Sequence, residues 1–388
     1  MKSTSGQDLP RTLAIKFLTI AGAGLVPAHK QNTIMKKIIN LLFAAAALAF
    51  LIPMGSCTDN GGDGIDSIIW NGSQNPENTS FRNPVWEPSL EGGTIVKGAS
   101  MYVAIAATSQ WAPGLTYYCK TLTSNDLMSW NAGNNAFSIP DSLVGKVACV
   151  NSLSADYART VTGANYWMFY TLKDSAFVGA ATATTAAGPY NDRGPLIKAA
   201  DVNSTTISDP FFIVASNAFY LCYTTDAGTY IQRLRLNRAS GANLQGKATK
   251  IAGPGISDIA IVRESSSRFY LIGTVTNDSK KEIHYAMASS ISGPYRDKAG
   301  TSLTDGSNGE VLITDGTQMV NPENPMRGFF NSDRTHLFLA YNATEQGNET
   351  MKSGYLRKPM LLSPIAIGED GWLTAVQAQK GWTTPRFN

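Results

Sequence analysis

Two stretches of this chain spell nearly the same phrase. Residues 178–192 read VGAATATTAAGPYND and residues 283–297 read IHYAMASSISGPYRD, closing on Gly188-Pro189-Tyr190 and Gly293-Pro294-Tyr295. A phrase repeated at that separation implies a repeated structural unit, and the rest of the chain carries the unit's other parts. Aromatic, β-favouring runs stand at MYVAIA (101–106), YWMFYT (166–171), FYLCYT (219–224), FYLIGT (269–274) and HLFLAY (336–341). Before each lies a second apolar run: TIVK (94–97), ARTV (158–161), FFIV (211–214), IAIV (259–262) and GFF (328–330). Turn chemistry surrounds them all, and no helical period of 3.6 runs between residues 80 and 375.

Five units of roughly 50–65 residues, each several strands long, predict an all-β chain: a five-bladed β-propeller of four-stranded antiparallel blades. One such sheet cannot bury both faces alone, whereas blades in a ring cover each other and shield their edges. In this reading ATATTAAGPY and AMASSISGPY are third strands running into a turn, and TSNDLMSW (123–130) is the blade-one variant. The competing architecture is a pair of β-sandwiches with coincidental turns. Glycine (35), tyrosine (15) and phenylalanine (15) suit either. Charged residues make up 16% with a net of +3, which argues against a nucleic-acid groove or a polyanion partner.

The propeller is expected over residues 81–388. Ahead of it, Met35-Lys36-Lys37 precedes the apolar run IINLLFAAAALAFLIPM and then Gly55-Ser56-Cys57. A basic stretch, an apolar stretch and small residues at the cut describe a secretory signal over 35–56, with residues 1–34 an over-called upstream start. The apolar run, about 17 residues, is at the short limit for a membrane-spanning helix, the alternative reading. Cys57 after the cut resembles the lipobox of bacterial lipoproteins, with Met54 in place of the usual leucine. TDNGGDG behind it, within a tether over 57–80, resembles the export signals of Bacteroidetes surface lipoproteins. The resemblance implies acylation of Cys57, an outer-membrane location, periplasmic or cell-surface exposed, and a membrane contact through the lipid. Cys119, Cys149 and Cys222 remain, without CxxC spacing, so buried thiols are expected rather than a disulfide framework or a metal site.

In a five-bladed ring the start of each innermost strand points into a central funnel. Blade one begins Trp86-Glu87-Pro88-Ser89-Leu90, blade three Ser208-Asp209-Pro210 and blade four Ser257-Asp258-Ile259. Asp156 is the nearest acid in blade two, and blade five offers Asn321, Glu323 and Asn324. Carboxylates converging in a cleft are the equipment of glycosidic bond hydrolysis, one protonated to assist the leaving oxygen and one ionised to activate water. The plain alternative for each is an Asx-type turn cap. Trp86, Trp111 and Tyr117 lie near blade-one loops and could stack on sugars or simply pack. Arg263 and Arg327 could bind a sugar hydroxyl or carboxylate, or be solvated charges.

NPVWEPSLEGGTIVKGASMYVAIA, NDLMSWNAGNNAF, ISDPFFIV, the two GPY phrases and GYLRKPMLLSPIAIGEDGWL together resemble glycoside hydrolase family 43 and its arabinanase relatives over residues 83–375. The resemblance implies an inverting hydrolase with three carboxylates: Glu87 as general base, Asp209 tuning the acid, and Asp258 as general acid. Glu87 stands where the family has Asp and Asp258 where it has Glu. Family members often carry a blade-five histidine near a central ion; here only His29, His284 and His336 exist, so no metal and no cofactor is expected. The expected function is cleavage of arabinose- or xylose-containing plant glycan by a monomer, with Trp86, Trp111, Asp156, Asn321, Glu323 and Arg327 binding substrate. The alternatives are a non-catalytic glycan-binding lipoprotein and a structural propeller.

Overall fold

The computed structural model describes residues 83–138, 150–158, 166–173, 176–215, 217–331 and 334–376. The expected upstream start, signal, Cys57 and tether, and also Cys149, lie outside the described residues. The chain divides after Asp63, and the described residues all belong to the second unit, Gly64–Asn388.

Five sheets follow one another along the chain. Blade one is β1 (Thr94–Lys97), β2 (Tyr102–Ile105), β5 (Lys120–Ser124) and β6 (Asn131–Asn135), with a hairpin of β3 (Ser109–Ala112) and β4 (Leu115–Tyr117) inserted after β2. Blade two is β8 (Val150–Tyr157), β9 (Tyr166–Leu172), β10 (Phe177–Ala183) and β11 (Tyr190–Lys198), flanked by a short parallel β7 (Phe137–Ser138). Blade three is β12 (Ile207–Ala215), β13 (Ala218–Thr225), β14 (Gly228–Asn237) and β15 (Gly241–Ala252). Blade four is β16 (Ile256–Arg263), β17 (Phe269–Asn277), β18 (Lys280–Ala288) and β19 (Glu310–Ile313). Blade five is β20 (Met319–Phe330), β21 (His336–Glu345), β22 (Met360–Ile367) and β23 (Leu373–Ala375). The four-stranded antiparallel propeller expected from the repeats is the fold observed. One strand differs: the inner strand of blade two is VNSLSADY, upstream of ARTV, because its centre is buried on both faces, Leu153 and Ala155 towards blade one and Ser154 towards Phe212 of blade three.

The apolar residues separate into five clusters, one for each seam between neighbouring blades. Met168 and Tyr170 pack on Val96 and Ile105 across seam one–two. Phe169 meets Phe212 across two–three, Phe211 and Ile213 meet Ile259 and Ile261 across three–four, and Tyr270 and Tyr285 meet Leu337 and Leu339 across four–five. The fifth cluster joins Trp86, Ile95 and Trp130 to Phe338, Met360 and Leu362, which closes the ring. Main-chain bonds reinforce that closure: Val85 donates to the Met360 carbonyl at 2.9 Å, Met360 to the Trp86 carbonyl at 3.0 Å, and Leu90 to the Lys358 carbonyl at 2.9 Å. The Asn83 side chain completes the strip with two bonds to the Leu362 main chain. Residues 83–90 therefore lie along β22 and make the outer edge of the last blade.

The twin phrases build the same turn twice. Tyr190 and Tyr295 are fully buried, and their hydroxyls donate to the carbonyls four residues back, Ala186 at 3.0 Å and Ile291 at 2.9 Å. Gly188 and Gly293 sit at φ +87° and +79°, a conformation glycine adopts without strain. In blade one the Asp126 carboxylate accepts from the Met128 and Ser129 amides while Trp130 Nε1 donates to the Leu127 carbonyl, a different route to a buried ring at the same corner.

Candidate active site

All five inner strands run the same way around the axis. Their starts, including Gly92, Ser152, Asp209, Asp258 and Asn324, line one cavity of about 20 Å³, room for about one water. Their ends, including Lys97, Asp156, Val214, Arg263 and Phe330, line a second cavity at the opposite mouth.

At the first mouth four blades share a backbone irregularity. Strand register slips between Ser208 and Phe211, between Ser257 and Ala260, and on either side of Glu323. The bulged residues Asp209, Asp258 and Asn324 have φ of 47°, 46° and 52°, and Gly92 in blade one has 59°. Left-handed backbone costs a non-glycine residue about 1–2 kcal/mol, and bulges of this kind re-aim a side chain out of the sheet. The strained seat thus carries Asp, Asp and Asn in blades three, four and five. Its blade-one counterpart is Gly92, where an added Cβ would lie 2.5 Å from the Asn151 carbonyl oxygen. The residue just before the seat is Ser208, Ser257, Glu323 or Glu91. Blades three and four place their acid on the seat, and blades five and one place it one residue earlier.

Asp209 and Asp258 form the floor. The Asp258 main-chain N–H donates to the Asp209 carboxylate, which also accepts from Ser208 Oγ at 3.0 Å. Both carboxyls are largely buried, and loss of hydration raises both. Burial is the first cause for Asp258, followed by the charges of Asp209 and Glu323; together they push it up to about 7 against the counter-effect of the Thr274 hydroxyl and Lys281. Asn324 N–H donates to Thr274 Oγ1 at 2.9 Å, so the hydroxyl's own proton is directed at Asp258.

Glu323 is clamped between two ammonium groups, Lys281 and Lys358. Burial alone would raise its carboxyl, but the two lysines outweigh that and hold it below the usual range. Asn321 orients the clamp by accepting the Lys281 amide at 3.0 Å. Asn342 bridges Asn324 to the main chain at Lys358 and Pro359. Glu91 stands at the rim, exposed to solvent, its carboxyl raised first by lost hydration and lowered by Lys358. Among the described residues its carboxyl has no ion pair or side-chain hydrogen bond. Glu91, Lys281, Lys358 and Asn342 escape a search restricted to Asp-Pro-like strand starts. The shared left-handed position of Gly92, Asp209, Asp258 and Asn324, which the apolar runs do not mark in sequence, brings Glu91 and Glu323 into equivalent places.

Five expected site residues take other places. Glu87 lies in the ring-closing strip, not at an inner-strand start; its carboxylate pairs with Arg357, which also binds Glu345 Oε2 at 2.5 Å. Its electrostatic neighbours are Arg357 and Glu345, whereas those of Asp258 are Asp209, Glu323 and Lys281. Trp86 and Trp111 are 0% and 1% exposed, so neither indole offers a face to a sugar; Trp111 packs on Tyr117 with centroids 4.4 Å apart. Asp156 and Arg327 pair at 2.6 Å beside the opposite mouth, where Arg327 also donates to the Phe212 carbonyl at 2.9 Å and stitches inner strands together. His284 is engaged by the Asn308 carbonyl and Glu282, and His336 begins β21.

Comparison with known proteins agrees with this architecture. An extracellular endo-α-(1→5)-L-arabinanase of Bacillus subtilis is 23% identical over 248 residues, which cover 60% of this chain and 75% of that protein. The α-L-arabinanase of Cellvibrio cellulosa superposes with a TM-score of 0.59 at 14% identity, covering 75% of this chain and 96% of its own. An exo-1,5-α-L-arabinanase from a bovine ruminal metagenomic library gives 0.57 at 15% identity, covering 74% and 97%. The profile of "Glycosyl hydrolases family 43" matches residues 81–373, the whole ring, and the chain therefore belongs to that family of glycosidases.

Proposed function

We propose that the protein hydrolyses arabinose-containing plant polysaccharide by an inverting acid–base mechanism, with Asp258 as general acid, Asp209 positioning it and Glu91 as general base. The observation that carries this reading is the placement of Asp209 and Asp258 together on one cavity, where burial and the neighbouring carboxylates raise the Asp258 carboxyl and favour its protonated form. A protonated acid can give its proton to the leaving glycosidic oxygen, while a second, ionised carboxylate takes one from the attacking water. Glu91 takes the second role by elimination. Arg357 holds Glu87, two lysines hold Glu323, and Asp209 is tied to the Asp258 main chain. The Glu91 carboxylate stays unlocked in the field of Lys281 and Lys358, within the cluster that reaches Asp258 through Glu323. The arabinanase names of the relatives support the choice of sugar.

The test uses the full chain, arabinan, and aryl arabinofuranosides of good and poor leaving groups. Asp258→Asn loses about 10²–10⁴-fold on arabinan and recovers on the good leaving group, which needs no proton. Glu91→Gln loses a similar factor on both, because water activation is needed in either case. A Glu91→Gln enzyme as fast as the parent, or a retained anomeric configuration in the product, would sink the assignment. A second reading, a non-catalytic glycan binder, is favoured by the empty side chain at Gly92; it requires binding of arabinan with no turnover of either substrate. The same proposal places the enzyme at the outer membrane, anchored through acylated Cys57, which metabolic labelling with a fatty-acid probe would reveal.

A further inference from the structure

The opposite mouth of the ring holds a second cavity, about 310 Å³, continuous in its lining with another of about 320 Å³ through Arg263 and Arg334. Lys97, Arg263, Arg327 and Arg334 line the first, where among the described residues Asp156 is the only acid and is already paired with Arg327; Glu264 lines the second. What distinguishes this patch from ordinary surface charge is how Arg263 and Arg334 are held. Arg263 Nε donates to the Ser265 carbonyl at 3.1 Å, and Arg334 Nη2 donates to the Glu264 carbonyl. One turn therefore fixes two guanidinium groups through uncharged main-chain oxygens. The nearby carboxylate of Glu264 faces Arg268 instead, at 3.7 Å. Arg334 also lies 4.3 Å over the Phe330 ring, which leaves its outer edge for an acceptor. Among the described residues neither Arg263 nor Arg334 has a carboxylate partner, and two like charges lining one cavity repel unless an anion is seated between them.

We propose that this mouth is a non-catalytic binding site for a carboxylate-bearing saccharide, a uronate-containing glycan. Guanidinium forks match a planar carboxylate. Phe329 and Phe330 add apolar edge to the lining, and Ser265 and Ser266 line the adjoining cavity. The choice of a saccharide rests on the glycan-cleaving function proposed above, but the site is tested without any turnover. Isothermal titration of the full chain with a galacturonate trisaccharide is expected to give saturable binding. A neutral arabinose trisaccharide should not bind to an Asp258→Asn, Arg263→Ala, Arg334→Ala chain any differently than to Asp258→Asn alone. The Arg263→Ala, Arg334→Ala double variant should lose at least tenfold in affinity for the galacturonate trisaccharide. The corresponding double Lys variant, which keeps charge but loses the fork, should fall between. Unchanged melting and unchanged arabinan hydrolysis show that the ring is intact. Equal galacturonate affinity in the double Ala variant overturns the proposal, as does displacement by sodium sulfate at equal concentration, which would mean a general anion site. Failure of hydrolysis with retained uronate binding would instead strike the proposed function alone.

Discussion

Asp258→Asn should inactivate the enzyme and stabilise the protein, and the stabilisation should depend on pH. The Asp258 carboxyl is pushed up to about 7 in the folded ring, against 3.8 for the free side chain. A group raised by folding favours the folded state while protonated, so its stabilising contribution is complete below pH 3.8 and is lost as pH rises through 7. At about 1.4 kcal/mol per pH unit the full interval is worth about 4 kcal/mol. Because Asp258 lines a cavity with room for about one water, screening reduces the expected figure to about 2 kcal/mol. Asparagine is neutral throughout and loses nothing over that interval. At pH 8 the variant should therefore melt about 4 °C above the parent, at about 2 °C per kcal/mol for a domain of this size. At pH 4 the two should melt together. Scanning calorimetry from pH 4 to 8 measures the difference directly. A gap that does not change with pH would refute the reasoning, since it would mean that the carboxyl does not change its ionisation between those limits.

Asp209→Asn removes the charge that, after burial, does most to raise Asp258, so the alkaline limb of the pH–rate profile should move to lower pH; an unmoved limb contradicts the coupling. Gly92→Ala adds a Cβ 2.5 Å from the Asn151 carbonyl oxygen at φ +59°, and should cost at least about 2 kcal/mol in urea unfolding. Arg357→Met strands the half-buried Glu87 carboxylate and should cost about 3 kcal/mol at pH 7. That loss should shrink in acid, where Glu87 takes up a proton, a trend measurable by urea titration at pH 7 and 4.

The ring was legible because its parts repeat: the Gly-Pro-Tyr corners and the five aromatic second strands stand out whatever lies between them. Asp209 and Asp258 were legible for the same reason, each following a serine at the start of an apolar run. Blade one misled because its loop offers Trp-Glu-Pro, a convincing imitation of an Asp-Pro start. Glu87 falls instead in the segment that seals the ring, and β1 begins seven residues later at Thr94. No local pattern distinguishes a Glu that meets Arg357 from one that faces a funnel, because Arg357 is 270 residues away in sequence. Trp86 and Trp111 misled in the same way: whether an indole packs or stacks on a ligand depends on the neighbouring blade, which arrives late in the chain.

The strip 83–90 is the first part of the ring along the chain, yet it is laid on β22 in the last blade. A recombinant product that begins before residue 83 keeps that strip whole. Starting instead at residue 91 would discard the hydrogen-bonded border of blade five together with Trp86, and expose the flank of β22 as a sticky edge inviting a second molecule. Soluble yield should collapse within those eight residues.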